Sequence, residues 1–210
     1  MSQTVSPSRA APAIAVVGAG IVGATTAYML SRRGAHVTLI DRAEPGRGCS
    51  YGNAGALAPA SVVPLAMPGI LRRVPGMLLD PAGPLRLPLG YLPRAMPWLV
   101  RFVAASRRDR VEAIAARLAA LNAEAIERHT ALAREIGAPD LVRMHGHLHV
   151  YRDAGALAKD APAWALRERH GVRCERVERA DIESLEPRLG TCYRTGVFLP
   201  DQAMVVNPFR

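Results

Sequence analysis

Five apolar residues, Ala13-Ile14-Ala15-Val16-Val17, run without a polar break into Gly18-Ala19-Gly20-Ile21-Val22-Gly23. Past the glycines the apolar positions take helical spacing, with Ala27 and Leu30 on one face and Gly34 as a stop. A second apolar run, Val37 to Ile40, ends on Asp41. The pattern predicts strand, glycine turn, helix and a strand closed by an acid, which is the fingerprint of a dinucleotide-binding βαβ unit. Gly18 permits the tight turn, Gly20 lets backbone approach a pyrophosphate, and Gly23 lets the helix sit close to the strands. The helix N-terminus turns its N–H groups and partial positive charge toward the phosphates. Asp41, 18 residues past Gly23, stands where a carboxylate accepts ribose hydroxyls and repels a 2′-phosphate. Ala13 to Leu30 carries no charge, yet three glycines at its centre argue against a membrane-crossing helix.

The pattern then changes. Gly46-Arg47-Gly48-Cys49-Ser50-Tyr51-Gly52-Asn53-Ala54-Gly55 is either a flexible surface loop or a run of small and hydrogen-bonding residues that a flat or charged ligand approaches closely. Ala58 to Pro97 is apolar but cut by prolines, which predicts short turns and extended pieces, with a short helix starting at Pro97. Ser106-x-x-Asp109 has the form of a capping box. Val111, Ile114, Leu118, Leu121, Ala125, Leu132 and Ile136 follow at near-helical spacing and predict one helix over about 107–136, ended by Gly137 and Pro139. At about 1.5 Å per residue it would be about 45 Å long, a strut or a lid. His145, His147 and His149 alternate, so a strand would put them on one face; no cysteine or carboxylate pattern completes a metal site. Pro162 to His170 reads as a short helix, Val172 to Val177 as a strand, Asp181 to Pro187 as a helical turn and Gly196 to Leu199 as a strand.

Composition narrows the function classes. The chain has 210 residues, half of them hydrophobic, and a net charge of +9. Lys159 is the sole lysine, so the positive charge is almost all arginine. The arginines are scattered, and the densest group, Arg107, Arg108 and Arg110, has no interleaved aromatics to stack bases. That disfavours nucleic acid as a partner. The apolar, proline-broken segment with Arg72, Arg73, Arg86 and Arg94 is compatible with an acidic lipid surface, though buried packing fits it better. Cys49, Cys174 and Cys192 are odd in number and widely spaced, which suits a reducing compartment and neither a disulfide framework nor a zinc site. Residues 1–12 read as a short disordered tail without a signal peptide's hydrophobic run.

Four stretches together resemble the FAD-dependent oxidoreductases of the D-amino-acid oxidase/glycine oxidase superfamily, in particular its bacterial D-amino-acid dehydrogenase small-subunit branch. They are Val17 to Gly23 with Asp41-Arg42, Ser50-Tyr51-Gly52-Asn53-Ala54-Gly55, Asp181 to Leu189, and Phe198-Leu199-Pro200-Asp201 with Asn207-Pro208. The first is common to many flavin and NAD enzymes; the second and third together are more specific. The resemblance implies that Gly18, Ala19, Gly20, Ile21, Val22, Gly23, Asp41 and Arg42 hold the ADP half of FAD. It implies that Ser50, Asn53, Ala54 and Gly55 approach the pyrophosphate or the flavin. Chains of this family are about twice as long, and their substrate-binding arginine and final flavin-binding segment have no counterpart here, so no catalytic residue is assigned.

The expected fold is α/β: a Rossmann-like FAD-binding βαβ unit, then the start of an α+β substrate domain with a mixed or antiparallel sheet, in a chain that looks truncated. Residues 13–60 are expected to form the N-terminal part of the FAD-binding domain. Residues 61–206 then form the substrate or cap domain, and 207–210 begin the return to the first. The resemblance implies oxidative deamination of a D-amino acid to a 2-oxo acid and ammonia, with a quinone or oxygen as electron acceptor. The implied location is the cytoplasm, or a peripheral position at the inner face of the plasma membrane. The alternatives are an NAD-dependent Rossmann dehydrogenase and a non-catalytic nucleotide-binding fragment.

Overall fold

A computed structural model describes residues 11–79 and 88–210. All of the expected N-terminal tail but Ala11 and Pro12, and residues 80–87 of the proline-broken segment, lie outside that range. The chain divides into two compact units, Met1–Gly55 with Val205–Arg210, and Ala56–Met204.

The first unit is the βαβ element that the apolar runs and glycines predict. Strand β1 (Ala13–Val17) pairs in parallel with β2 (His36–Ile40), in a register that sets Ala13 beside His36 and Val17 beside Ile40. Helix α1 (Ile21–Arg32) connects them. It closes in a Schellman motif: the Gly34 N–H donates to the Ser31 carbonyl and the Ala35 N–H to the Leu30 carbonyl. The uncharged stretch thus splits at the glycine turn. Among the described residues no helix is long and apolar enough to cross a membrane.

The second unit holds two small sheets and six α-helices among the described residues. Strand β3 (Ala56–Leu57) is followed by α2 (Ile70–Leu79), α3 (Leu92–Ala105), α4 (Arg108–Asn122) and α5 (Ala125–Glu135). Strands β4 (Val142–Met144) and β5 (His147–Tyr151) lead to α6 (Ala154–Arg169), β6 (Glu175–Glu178), α7 (Arg179–Leu185), β7 (Thr195–Leu199) and β8 (Ala203–Val205). One sheet has the order β3-β8-β4 and the other β5-β7-β6. In the latter β7 is central and antiparallel to both neighbours, with His147 opposite Leu199 and Glu175 opposite Phe198. Against it Leu157 and Trp164 of α6 pack with Val197 and Leu199.

Several elements differ from the expected ones. The helix expected over 107–136 is two helices, α4 and α5, broken at Ala123 and Glu124 without glycine or proline. Leu121, which completes the apolar spacing, is 79% exposed, and the Asn122 side-chain amide donates to the Ser61 carbonyl. Burial therefore does not continue through the break, and a tertiary bond fixes the end of α4. The Ser106-Asp109 capping box is absent. The Ser106 hydroxyl donates back to the Val103 carbonyl at the end of α3, and Asp109 pairs with Arg107. Proline does not stop the helices either: Pro75 lies inside α2, Pro97 inside α3 and Pro162 inside α6. Helix α6 begins eight residues before Pro162, capped by the Asp153 carboxylate, which accepts the Ala156 N–H at 2.8 Å.

Candidate functional site: the glycine turn and the Asp41 carboxylate

The site is built on the first unit, where β1 and β2 end together. The Gly18 N–H donates to the Ile40 carbonyl at 2.7 Å, which aligns the two strand ends. Gly18 then turns with φ +101, and a Cβ on Gly23 would fall on the Gly18 carbonyl oxygen. The sequence Gly18-x-Gly20-x-x-Gly23 folds this way because Gly18 takes a left-handed φ that side chains resist and Gly23 has no room for a Cβ. At Gly20 the opposite holds: its Cβ position meets nothing within 4 Å, so the backbone faces open space. Gly20 is the N-cap of α1, and no side chain caps the first turn. The N–H groups of that turn, in Ile21, Val22 and Gly23, have no intrahelical acceptor and suit an anion.

Asp41 does more than stand at the end of β2. Its Oδ2 accepts the Ala19 N–H at 2.6 Å and its Oδ1 accepts the Ala43 N–H at 2.9 Å. The Ala19 N–H, then the Ala43 N–H, hold the Asp41 carboxyl below the usual carboxylate range. Asp41 is exposed, and each carboxylate oxygen keeps a second lone pair for a ligand hydroxyl. The carboxylate therefore locks the glycine turn and remains able to accept from a ribose. Arg42 beside it is exposed.

The glycine-rich loop approaches this turn. The Gly46 N–H donates to the Ala19 carbonyl at 2.8 Å, and the Cβ position of Gly48 lies 3.5 Å from the Gly20 Cα. Between loop and helix is a cleft of about 520 Å³, lined by Ile21, Ala24, Gly46, Arg47, Ser50 and Tyr51 among others. Of the expected site residues, Ile21 and Ser50 line that cleft, with Gly18, Ala19 and Gly20 at the adjoining turn. Asn53, Ala54 and Gly55 do not line it. The Asn53 Oδ1 accepts the Gly55 N–H at 2.8 Å. Gly55 is buried with φ +68, where a Cβ would strike the Val205 carbonyl oxygen. Motif spacing does not single out Arg47, which lines this cleft: its guanidinium pairs with Glu44 at 3.1 Å and lies over the Tyr51 ring at 4.5 Å. Its position between two glycines of the loop is the signal in the sequence.

The histidine alternation has another outcome. His147 and His149 lie on β5, whereas His145 precedes it and donates its N–H to the Gln202 carbonyl. His149 packs edge-on to Trp164, and no cluster able to hold a metal occurs among the described residues. Cys49, Cys174 and Cys192 are free thiols.

The profile of the family described as FAD dependent oxidoreductase matches residues 13–210. The chain is 39% identical over 198 residues to a D-amino-acid oxidase of Bradyrhizobium diazoefficiens, covering 93% of this chain and 47% of the relative. It is 46% identical over 149 residues to a D-amino acid dehydrogenase 2 of Ralstonia nicotianae, covering 69% of this chain and 35% of the relative. The chain thus spans about half, or less, of the length of the curated relatives it matches. Among solved structures, an L-amino acid deaminase from Proteus vulgaris superposes with a TM-score of 0.57 at 15% identity, over 100% of this chain and 37% of that one. A glycine oxidase from Bacillus cereus gives 0.54 at 16% identity, over 95% and 41%. At these identities the structural likeness speaks to fold alone.

Proposed function

The chain belongs to the FAD-dependent oxidoreductase family, and from that premise we propose that it is part of an enzyme that oxidatively deaminates a D-amino acid to a 2-oxo acid and ammonia. The observation that carries the FAD half of this reading is the Asp41 carboxylate locked to the glycine turn, beside an α1 N-terminus that no side chain caps. Three parts of the site fit the ADP portion of FAD: open space at Gly20, first-turn N–H groups for the pyrophosphate, and lone pairs on Asp41 for the ribose. Bound FAD supplies the two-electron acceptor for oxidation of the amino acid at its α-carbon. The chain's own residues act before that step. Gly18, Ala19, Gly20 and Gly23 shape the turn, and the first-turn N–H groups of Ile21 and Val22 neutralise phosphate charge. Asp41 orients the ribose and rejects a 2′-phosphate. Arg42 and Arg47 add positive charge, and Ser50 donates from the loop. Asn53, Ala54 and Gly55 set the path of the chain that follows.

The substrate class rests on the similarity to a D-amino-acid oxidase and a D-amino acid dehydrogenase. The family match weighs against the NAD-dependent alternative. We place reoxidation with a quinone or oxygen, and the protein in the cytoplasm or peripherally on the inner face of the plasma membrane. Exposed Leu71, Leu78, Trp98 and Val100 on α2 and α3 support the peripheral reading. They stand beside Arg72, Arg94 and Arg101 in two helices without an acid. The test is Asp41→Ala in the purified protein. It removes the acceptor of two backbone N–H groups and of the ribose, and it should weaken FAD retention by roughly tenfold. Turnover per bound flavin should change little, because the ribose is remote from the reacting ring. Unchanged FAD affinity would contradict the assignment.

A further inference from the structure

The second unit has a cleft that the flavin reading does not use. About 650 Å³ in volume, it opens between the start of α2, the N-terminus of α4 and the middle of α6. Met67, Val111, Pro162 and Leu166 form its apolar wall. Val111 and Leu166 belong to a buried cluster against which Met67 packs, so this wall is fixed by the core. Its rim carries Arg72, Arg108 and Lys159, one each from α2, α4 and α6. Among the described residues none of these three makes an ion pair. The remaining charges of the cleft are engaged: Arg169 pairs with Glu112 at 2.5 Å, and Asp160 accepts the Tyr151 hydroxyl at 3.1 Å.

A second observation points to the same ligand charge. Helix α4 opens on Arg107-Arg108-Asp109-Arg110, and no side chain caps its first N–H groups. Its one acid there, Asp109, is held by Arg107 at 3.4 Å. Guanidinium groups at the positive end of a helix dipole are unfavourable on their own. An anion held at the same place reverses the sign of that interaction and takes up the free N–H groups. We propose that this cleft binds an amphiphilic anion, its phosphate or carboxylate head held by Arg72, Arg108 and Lys159 and its apolar body laid against Met67 and Pro162, with the buried Val111 and Leu166 behind them. The proposal stands apart from the flavin site, so either can fail alone.

Dodecyl phosphate, kept monomeric, is the probe, titrated calorimetrically into the purified full-length protein. One saturable site is expected. Arg108→Gln and Arg72→Gln should each weaken it roughly tenfold, the worth of one charge-assisted hydrogen bond. Arg117→Gln, which removes the same charge from an exposed position of α4 outside the cleft, should leave it unchanged. Thermal melts of the three variants check that each is folded. Co-sedimentation with phosphatidylcholine vesicles, with and without phosphatidylglycerol, separates the sources. Sedimentation that needs the acidic lipid and is lost in Arg108→Gln identifies a lipid headgroup; dodecyl phosphate binding without sedimentation identifies a soluble amphiphile. The proposal is overturned by absence of a saturable site, by equal loss in Arg108→Gln and Arg117→Gln, or by inorganic phosphate binding as tightly as dodecyl phosphate.

Discussion

The His149 imidazole lies edge-on to the Trp164 ring with centroids 5.0 Å apart. Burial first, then the charges of Arg167 and His147, push its pKa below the usual histidine range, while Asp160 opposes them. As the pH falls through that range the unfolded chain takes up a proton at His149 and the folded chain does not. Stability therefore falls with pH from about 7 toward about 5 through this group, and levels off only below its depressed folded pKa. Urea unfolding across that window should show the slope, and His149→Gln should reduce it; an unchanged slope would contradict the assignment. The alternation of His145, His147 and His149 exposed the strand period but not this role, because the partner that decides it, Trp164, sits on the next helix. Asp41 was more legible: its place after an apolar strand identified it. Its bond to the Ala19 N–H depends on the path of the turn, which spacing does not specify.

Helices α6 and α4 show what the element scale adds. In α6, Pro162 loses one helix hydrogen bond, but the Asp153 cap and the buried Leu157, Trp164 and Leu166 hold the helix on both sides of it. Asp153→Ala leaves the Ala156 N–H without that partner, and should cost about 1 kcal/mol in chemical unfolding. A loss of a few tenths or less would mean that the cap does not set the start of α6. Local signals place that start at Pro162, since a proline weighs heavily when the burial of later residues is unknown. The break between α4 and α5 was hidden for the converse reason. Val111 through Leu132 keep near-helical spacing across it, and only the exposure of Leu121 and the Asn122 bond to Ser61 reveal it. The βαβ unit was legible almost residue for residue, because each of its steps is forced by a glycine contact or a strand end.

At the scale of the molecule the two units differ in how well their strands are covered. Parallel strands are ordinarily covered on both faces, yet Val17 of β1 is 83% exposed and Val22 of α1 77%. Strand β7, by contrast, is central in its sheet and buries Val197 and Leu199 to 1%. In the 210-residue chain by itself, hydrogen exchange should therefore be much faster for the β1 and β2 amides than for β7. Equal protection would show that the βαβ unit is stable without further cover. No local pattern specifies what covers an apolar face, so this exposure is not legible in the sequence. We propose that the glycine turn and Asp41 hold the FAD of a D-amino-acid-oxidising enzyme. Anaerobic addition of D-amino acids to the purified full-length protein, followed in the visible spectrum, tests it most directly. The expected result is a flavin spectrum that D-amino acids bleach and L-amino acids leave unchanged. A colourless protein, or a flavin that no D-amino acid reduces, would contradict it.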